Sequence, residues 1–121
     1  MSQGSQTFQI AGVDALQLCR EYDTPLYVYD TAKMESQYKR LKKAFKGSKH
    51  KINYACKALS NVNVLRFFKQ LGSGLDTVSI QEVELGLKAG FDPADIIYTP
   101  NGVSIDEIKN LNMPFGYKAN L

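Results

Sequence analysis

Histidine is almost missing from this chain, with one residue, His50, among 121. It lies in a lysine-flanked turn with no triad or metal-ligand partner in view, so histidine-centred catalysis has no candidate and His50 reads as a surface residue. Cysteine is scarce too. Cys19 and Cys56 have no metal-ligand spacing and imply no disulfide framework, so both read as small buried hydrophobes in a reducing compartment, and no metal site is expected. No apolar run approaches membrane-spanning length, and the stretch from Met1 to Gln6 has no basic start followed by an apolar core. The sequence therefore predicts no membrane partner and a cytoplasmic location. Excess charge is also lacking: 44% hydrophobic residues, 22% charged residues and a net charge of +3 suit a soluble globular chain and argue against a disordered tail or a polyanion binder. The one basic cluster, Lys39, Arg40, Lys42, Lys43 and Lys46, has no aromatic ladder or binding motif beside it. It reads as a solvated helix face, and no nucleic-acid partner is expected.

What the chain does have is a repeated strand-to-helix unit. Strands are predicted at about Lys51–Cys56, Leu75–Val78 and Ile96–Tyr98, each followed by a segment of helical periodicity. After the first, Val64, Leu65, Phe68 and Leu71 share a face and Gly72 supplies a left-handed helix end. After the second, Ser79-Ile80-Gln81-Glu82 is a capping box, Val83 and Leu87 lie one turn apart, and Gly90 is the stop. After the third, Ser104-Ile105-Asp106-Glu107 repeats the capping box and Pro114 limits the helix. Strand, helix, strand in repetition predicts an α/β fold with a parallel sheet, whose strand-to-helix loops all gather at the carboxyl edge where ligands bind. Upstream, Leu16, Cys19 and Tyr22 suggest a short amphipathic helix broken at Thr24-Pro25, and Leu26-Tyr27-Val28-Tyr29 reads as a β-rich run. Thr31 is then expected to cap a helix whose Met34, Tyr38, Leu41 and Phe45 share a face, ending at Gly47.

Within this frame Lys57 stands out, because Asn53-Tyr54-Ala55-Cys56-Lys57-Ala58 delivers a lysine where a strand hands over to a loop. A Schiff-base lysine needs a rigid mount and partial desolvation, since burial favours the neutral, nucleophilic amine. The plainer reading is a solvated surface lysine. Asp76, at the end of the second strand, is either a solvated strand-end acid or a catalytic group, as barrel enzymes draw catalytic groups from strand ends. Glu82 is accounted for by its capping box, and Asn101 reads as a turn residue first and a pocket residue second.

Four blocks in order carry a resemblance: Thr24 to Asp30, Tyr54 to Ala58, Leu71 to Ser79 and Ile96 to Gly102. In sequence and spacing they resemble the amino-terminal part of diaminopimelate decarboxylases, over roughly Asp23 to Ile108. The resemblance implies a pyridoxal-phosphate enzyme of the alanine-racemase-like class, in which an eight-stranded TIM barrel is joined to a carboxy-terminal β-domain. Residues 1–121 would then be the amino-terminal part of the cofactor-binding barrel domain, about its first three βα units of a partial (β/α)8 barrel, preceded by a short helix and a β-strand segment. It implies that Lys57 holds pyridoxal 5'-phosphate as an internal aldimine, that Asp76 orients the lysine ammonium group, and that a small amino-acid substrate, meso-diaminopimelate, is decarboxylated to L-lysine. A homodimer is expected for the full-length parent. Leu59 departs from the family, where many relatives have asparagine.

The chain is also shorter than the roughly 250 residues of a complete barrel. The family's ring-stacking histidine, glycine-rich phosphate loop, pyridinium-pairing glutamate and carboxy-terminal β-domain have no counterpart in it, and the sequence departs from the family after about Asn110. A truncated or frameshifted product, or a fragmentary gene model, inactive alone, is therefore expected. Lys118-Ala119-Asn120 echoes the lysine motif without a strand before it. Two other readings remain open, an ornithine- or arginine-type decarboxylase of the same class and a non-catalytic cofactor-binding protein or remnant.

Overall fold

The computed structural model describes residues 8–106. They divide into two compact units that meet between Lys46 and Gly47 in the sequence.

The first unit opens with a hairpin, β1 (Gln9–Ile10) paired antiparallel with β2 (Val13–Asp14). Ala11 and Gly12 both take positive φ, 51° and 81°, as a two-residue turn between twisted strands requires. No strand is predicted here from sequence; the available signal is Ala-Gly between two short apolar pairs. Helix α1 (Ala15–Tyr22) follows, and the Asp14 carboxylate accepts the Leu16 N–H at 2.9 Å as its N-cap. The expected apolar stripe is present but open, since Leu16 and Tyr22 are exposed.

Two expectations for this unit are corrected. Leu26 to Tyr29 forms no strand, because no other described segment offers it a ladder partner, and its apolar side chains stand in solvent, Tyr27 at 83% exposure. Helix α2 (Thr31–Ala44) is capped by Asp30, whose carboxylate accepts the Lys33 N–H at 2.9 Å, and Thr31 is its first helical residue. Of the face Met34, Tyr38, Leu41 and Phe45, only Tyr38 is buried. The basic cluster from Lys39 to Lys46 is exposed throughout.

The second unit is built on a three-stranded parallel sheet, β3 (Asn53–Ala55), β4 (Gly74–Thr77) and β5 (Ile96–Tyr98), in the order β3-β4-β5. Helix α3 (Val62–Gln70) joins the first pair and α4 (Ile80–Ala89) the second. The three strands lie where the sequence puts them, trimmed or shifted at the ends. Both helix stops hold as well, with Gly90 at φ 92° closing α4 in the left-handed conformation. A third helical segment starts at Ile105, and Glu107, Pro114 and Lys118 lie outside the described residues.

Register divides the sheet into two faces. Tyr54, Leu75 and Ile96 pair in one row, and Thr77 with Tyr98 in the next row on that face; together with Cys56, Leu65, Val83, Ala89 and Phe91 they supply the buried core under α3 and α4. The alternate row, Ala55, Asp76 and Ile97, faces away, and Ile97 is 37% exposed. Sequential parallel strands with both helices on one face form an arc of a barrel, whereas a doubly wound sheet would carry helices on both faces.

Helix α4 lies close against the sheet because Gly86 has no side chain. A Cβ there would come within 2.5 Å of Leu75 Cδ2 and 3.2 Å of Ile96 Cδ1, and Leu75 is fully buried with no room to yield. Gly86→Ala should therefore destabilise the chain: overpacking of about 1–3 kcal/mol outweighs the helix-propensity gain of about 1 kcal/mol. Leu65→Ala should cost about 2–5 kcal/mol by opening a cavity under α3. A shift of the urea midpoint at unchanged slope would check both, and a wild-type midpoint for Gly86→Ala would contradict this packing.

Candidate active site at the carboxyl edge of the sheet

Strand β3 ends at Ala55, and the chain turns at once into a 3-10 turn, Cys56–Ala58, with Lys57 at its centre. The turn is held at both sides. Cys56 is completely buried in the core, and the Leu59 N–H returns to the Cys56 carbonyl at 3.1 Å. The Tyr54 hydroxyl donates to the Leu59 carbonyl at 3.2 Å, while its ring stacks on Phe68 of α3 with centroids 4.1 Å apart. Leu59 thus serves the turn through its backbone, which any side chain at that position would leave in place. Lys57 itself is exposed, and among the described residues its amine has no hydrogen bond or ion pair. The lysine stands on a hydrogen-bonded turn at the end of β3; the expected desolvation is not supplied by these three strands.

Asp76 occupies the rung beside Ala55, two residues before Lys57, on the face turned away from the helices. The Thr99 hydroxyl donates to Asp76 Oδ1 at 2.9 Å, so the carboxylate is held from the neighbouring strand end. The register therefore brings Asp76 and the lysine turn to the same edge. Sequence reasoning missed Thr99, whose position directly before Pro100 at a strand end was its only signal.

Glu82 does the capping work expected of it, one residue off the usual pattern. Its N–H donates to Ser79 Oγ at 3.2 Å, while its carboxylate accepts the Val78 N–H at 2.8 Å instead of that of Ser79. The acid in the first turn also suits the positive end of the helix dipole. Asn101 lies exposed in a bend after β5 and has no described bond to the other site residues.

Cys56 is the one strongly perturbed titratable group of this edge. Burial, reinforced by the carboxylates of Glu82 and Asp76, pushes its thiol up to about 11 from 9.0. It is thus a neutral packing group at pH 7 and no nucleophile. Among the described residues no cluster of His, Cys, Asp or Glu could hold a metal ion, and no helix is long and apolar enough to cross a membrane.

In comparisons with known proteins, the pyridoxal binding domain of pyridoxal-dependent decarboxylases matches residues 31–113. The diaminopimelate decarboxylase of Methanothermobacter thermautotrophicus is 47% identical over 102 residues, which cover 83% of this chain and 24% of that protein. That of Bacillus subtilis is 40% identical over 103 residues, 84% of this chain and 24% of the relative. The crystal structure of the M. jannaschii diaminopimelate decarboxylase in complex with L-lysine superposes with a TM-score of 0.80 at 31% identity, over 87% of this chain and 26% of that one. The ornithine decarboxylase of Entamoeba histolytica gives a TM-score of 0.60 at 25% identity, over 67% of this chain and 23% of that one. The chain spans about a quarter of the length of the curated relatives it matches.

The raised thiol has a consequence that can be measured. Between pH 9 and about 11 the folded chain keeps the Cys56 proton that the unfolded chain releases, so stability is greatest below pH 9 and falls as pH rises through that window. Cys56→Ala should flatten that fall in urea titrations. At pH 8 a thiol reagent should label Cys19 and spare Cys56 until urea is added; equal labelling of both in the folded chain would contradict the burial of Cys56.

Proposed function

Because the chain belongs to the family of pyridoxal-dependent decarboxylases, we propose that it is the amino-terminal, cofactor-anchoring part of a diaminopimelate decarboxylase, in which Lys57 carries pyridoxal phosphate and Asp76 steadies the lysine amine. The observation that carries this reading is the placement of an exposed lysine on a rigid turn at the carboxyl edge of a parallel sheet, with a carboxylate one strand away. Parallel β/α folds bind ligands at that edge.

The residues present fit the cofactor at one end. An amine without a competing ion pair among the described residues suits capture of an aldehyde, and the turn that presents it is pinned by Cys56 and Leu59. Pyridoxal phosphate supplies, when bound, an electron sink for the electron pair left by loss of carbon dioxide. The protein's part is orientation. Lys57 would hold the cofactor aldehyde at the mouth of the barrel, and Asp76 would hold the Lys57 ammonium group whenever the amine is released. The open face carrying Ala55, Asp76 and Ile97 would become the interior of the closed barrel, where exclusion of water supplies the desolvation absent from three strands.

The choice of substrate rests on relatedness. Identities of 31–47% link the chain to diaminopimelate decarboxylases, against 25% to the ornithine decarboxylase. On this reading the substrate is meso-diaminopimelate, the product is L-lysine, and the complete enzyme is a cytoplasmic homodimer.

Incubation of the chain with pyridoxal phosphate and reduction with borohydride should fix the label on Lys57, identified by peptide mass, and Lys57→Ala should abolish that adduct. Recovery of the label chiefly on Lys51, Lys69 or another lysine would overturn the assignment. The 121-residue chain by itself should release no carbon dioxide from meso-diaminopimelate, because the family's phosphate and pyridinium contacts have no counterpart in it; measurable turnover would show that the described edge is sufficient.

A further inference from the structure

Asp76 is not held by its own strand. Its Oδ1 accepts a hydrogen bond of 2.9 Å from Thr99, the residue that follows β5. The hydroxyl has one proton and two acceptors in reach, Asp76 Oδ1 and the Thr77 carbonyl at 3.3 Å. The carboxylate is closer and charged, and the Thr77 carbonyl already accepts the Thr99 N–H at 2.8 Å, so the proton belongs to Asp76.

Thr99 is well fixed to act as a support. Its backbone continues the β4–β5 ladder by one further rung through that N–H, and Pro100 behind it confines it to extended conformations. Its branched side chain has few rotamers to choose from. The hydroxyl therefore reaches Asp76 from a backbone held in the ladder. One carboxylate oxygen is engaged and the other is left for a partner at the carboxyl edge, where the nearby titratable groups are Cys56, Lys57 and Glu82. Cys56 is neutral in the core, and the Glu82 carboxylate is engaged by the Val78 N–H. Among the described residues, Lys57 is the remaining cation of this edge.

We infer that Thr99 is a positioning residue: it orients the Asp76 carboxylate toward the Lys57 amine. This inference rests on the reading of Asp76 as the partner of Lys57. Neither Asp76 nor Thr99 belongs to the hydrophobic core.

The test uses the whole chain, with pyridoxal phosphate as probe and borohydride trapping at Lys57 followed by peptide mass as the readout across pH. If Asp76 partners the amine, Asp76→Asn should visibly displace the pH profile of Lys57 trapping. Thr99→Val, nearly isosteric, should move it the same way by about half as much, and Thr99→Ser should restore the original profile. The double variant Asp76→Asn with Thr99→Val should shift no further than Asp76→Asn alone, since the two act as one unit. A purely structural threonine would lower the melting temperature and leave the trapping profile in place. If Asp76→Asn shifts the profile while Thr99→Val and Thr99→Ala do not, the inference about Thr99 is wrong and the reading of Asp76 stands. If Asp76→Asn itself leaves the profile unmoved, the underlying reading of Asp76 falls and the inference with it.

Discussion

The close approach of α4 to the parallel sheet is the constraint on which the site rests. Gly86 lets the helix settle on Leu75 and Ile96, and that contact commits one face of each strand to the core. Strand side chains alternate, so once Leu75 and Thr77 point to the helices Asp76 must point away from them. The same alternation turns Tyr54 inward to stack on Phe68 and leaves Ala55 on the far face. Packing on one side of the sheet thereby fixes which groups are available for chemistry on the other.

The chemistry-bearing residues of the edge are separated by environment. Three acidic or potentially acidic groups, Asp76, Glu82 and Cys56, lie close enough for the two carboxylates to act on the thiol. Crowding of like charge is avoided because each takes a different role. Cys56 keeps its proton, the Glu82 carboxylate accepts the Val78 N–H just before α4, and Asp76 is steadied by the Thr99 hydroxyl. At the opposite, amino edge, Lys51 and Asp95 form an ion pair that links the chain before β3 to the chain before β5, beside the point where Gly74 leaves room for the Asn53 side chain. An exposed pair of this kind contributes little to stability and ties the strand starts together.

Ile97 stands on the face of the sheet that no described helix covers, and Tyr27, Val28 and Tyr29 lie in an extended segment with no ladder partner. Parallel sheets are stable when both faces are covered. Among the described residues the parallel sheet has three strands and helices on one face, so Ile97 on the other face remains exposed.

The sequence by itself determined the local grammar. Helical stripes, the Ser79–Glu82 capping box and the glycine stops announce helix and turn because each depends on neighbours within four residues, and the segments between them leave room for the strands. They also placed Lys57 at a strand end and Asp76 at the next one. Where only nearby residues mattered but several could serve, the choice went another way: Asp30 took the cap expected of Thr31, and Ala11-Gly12 closed a hairpin the pattern was too short to declare. Tertiary structure alone decided three things. It withheld a ladder from Leu26–Tyr29, because a strand exists only when another backbone meets it. It set the register that puts Asp76 beside Ala55, because parallel pairing joins segments some twenty residues apart. And it brought Thr99 onto Asp76 across 23 positions of sequence, a hydrogen bond that no local pattern encodes, since its two ends are neighbours only through the packing of β4 against β5.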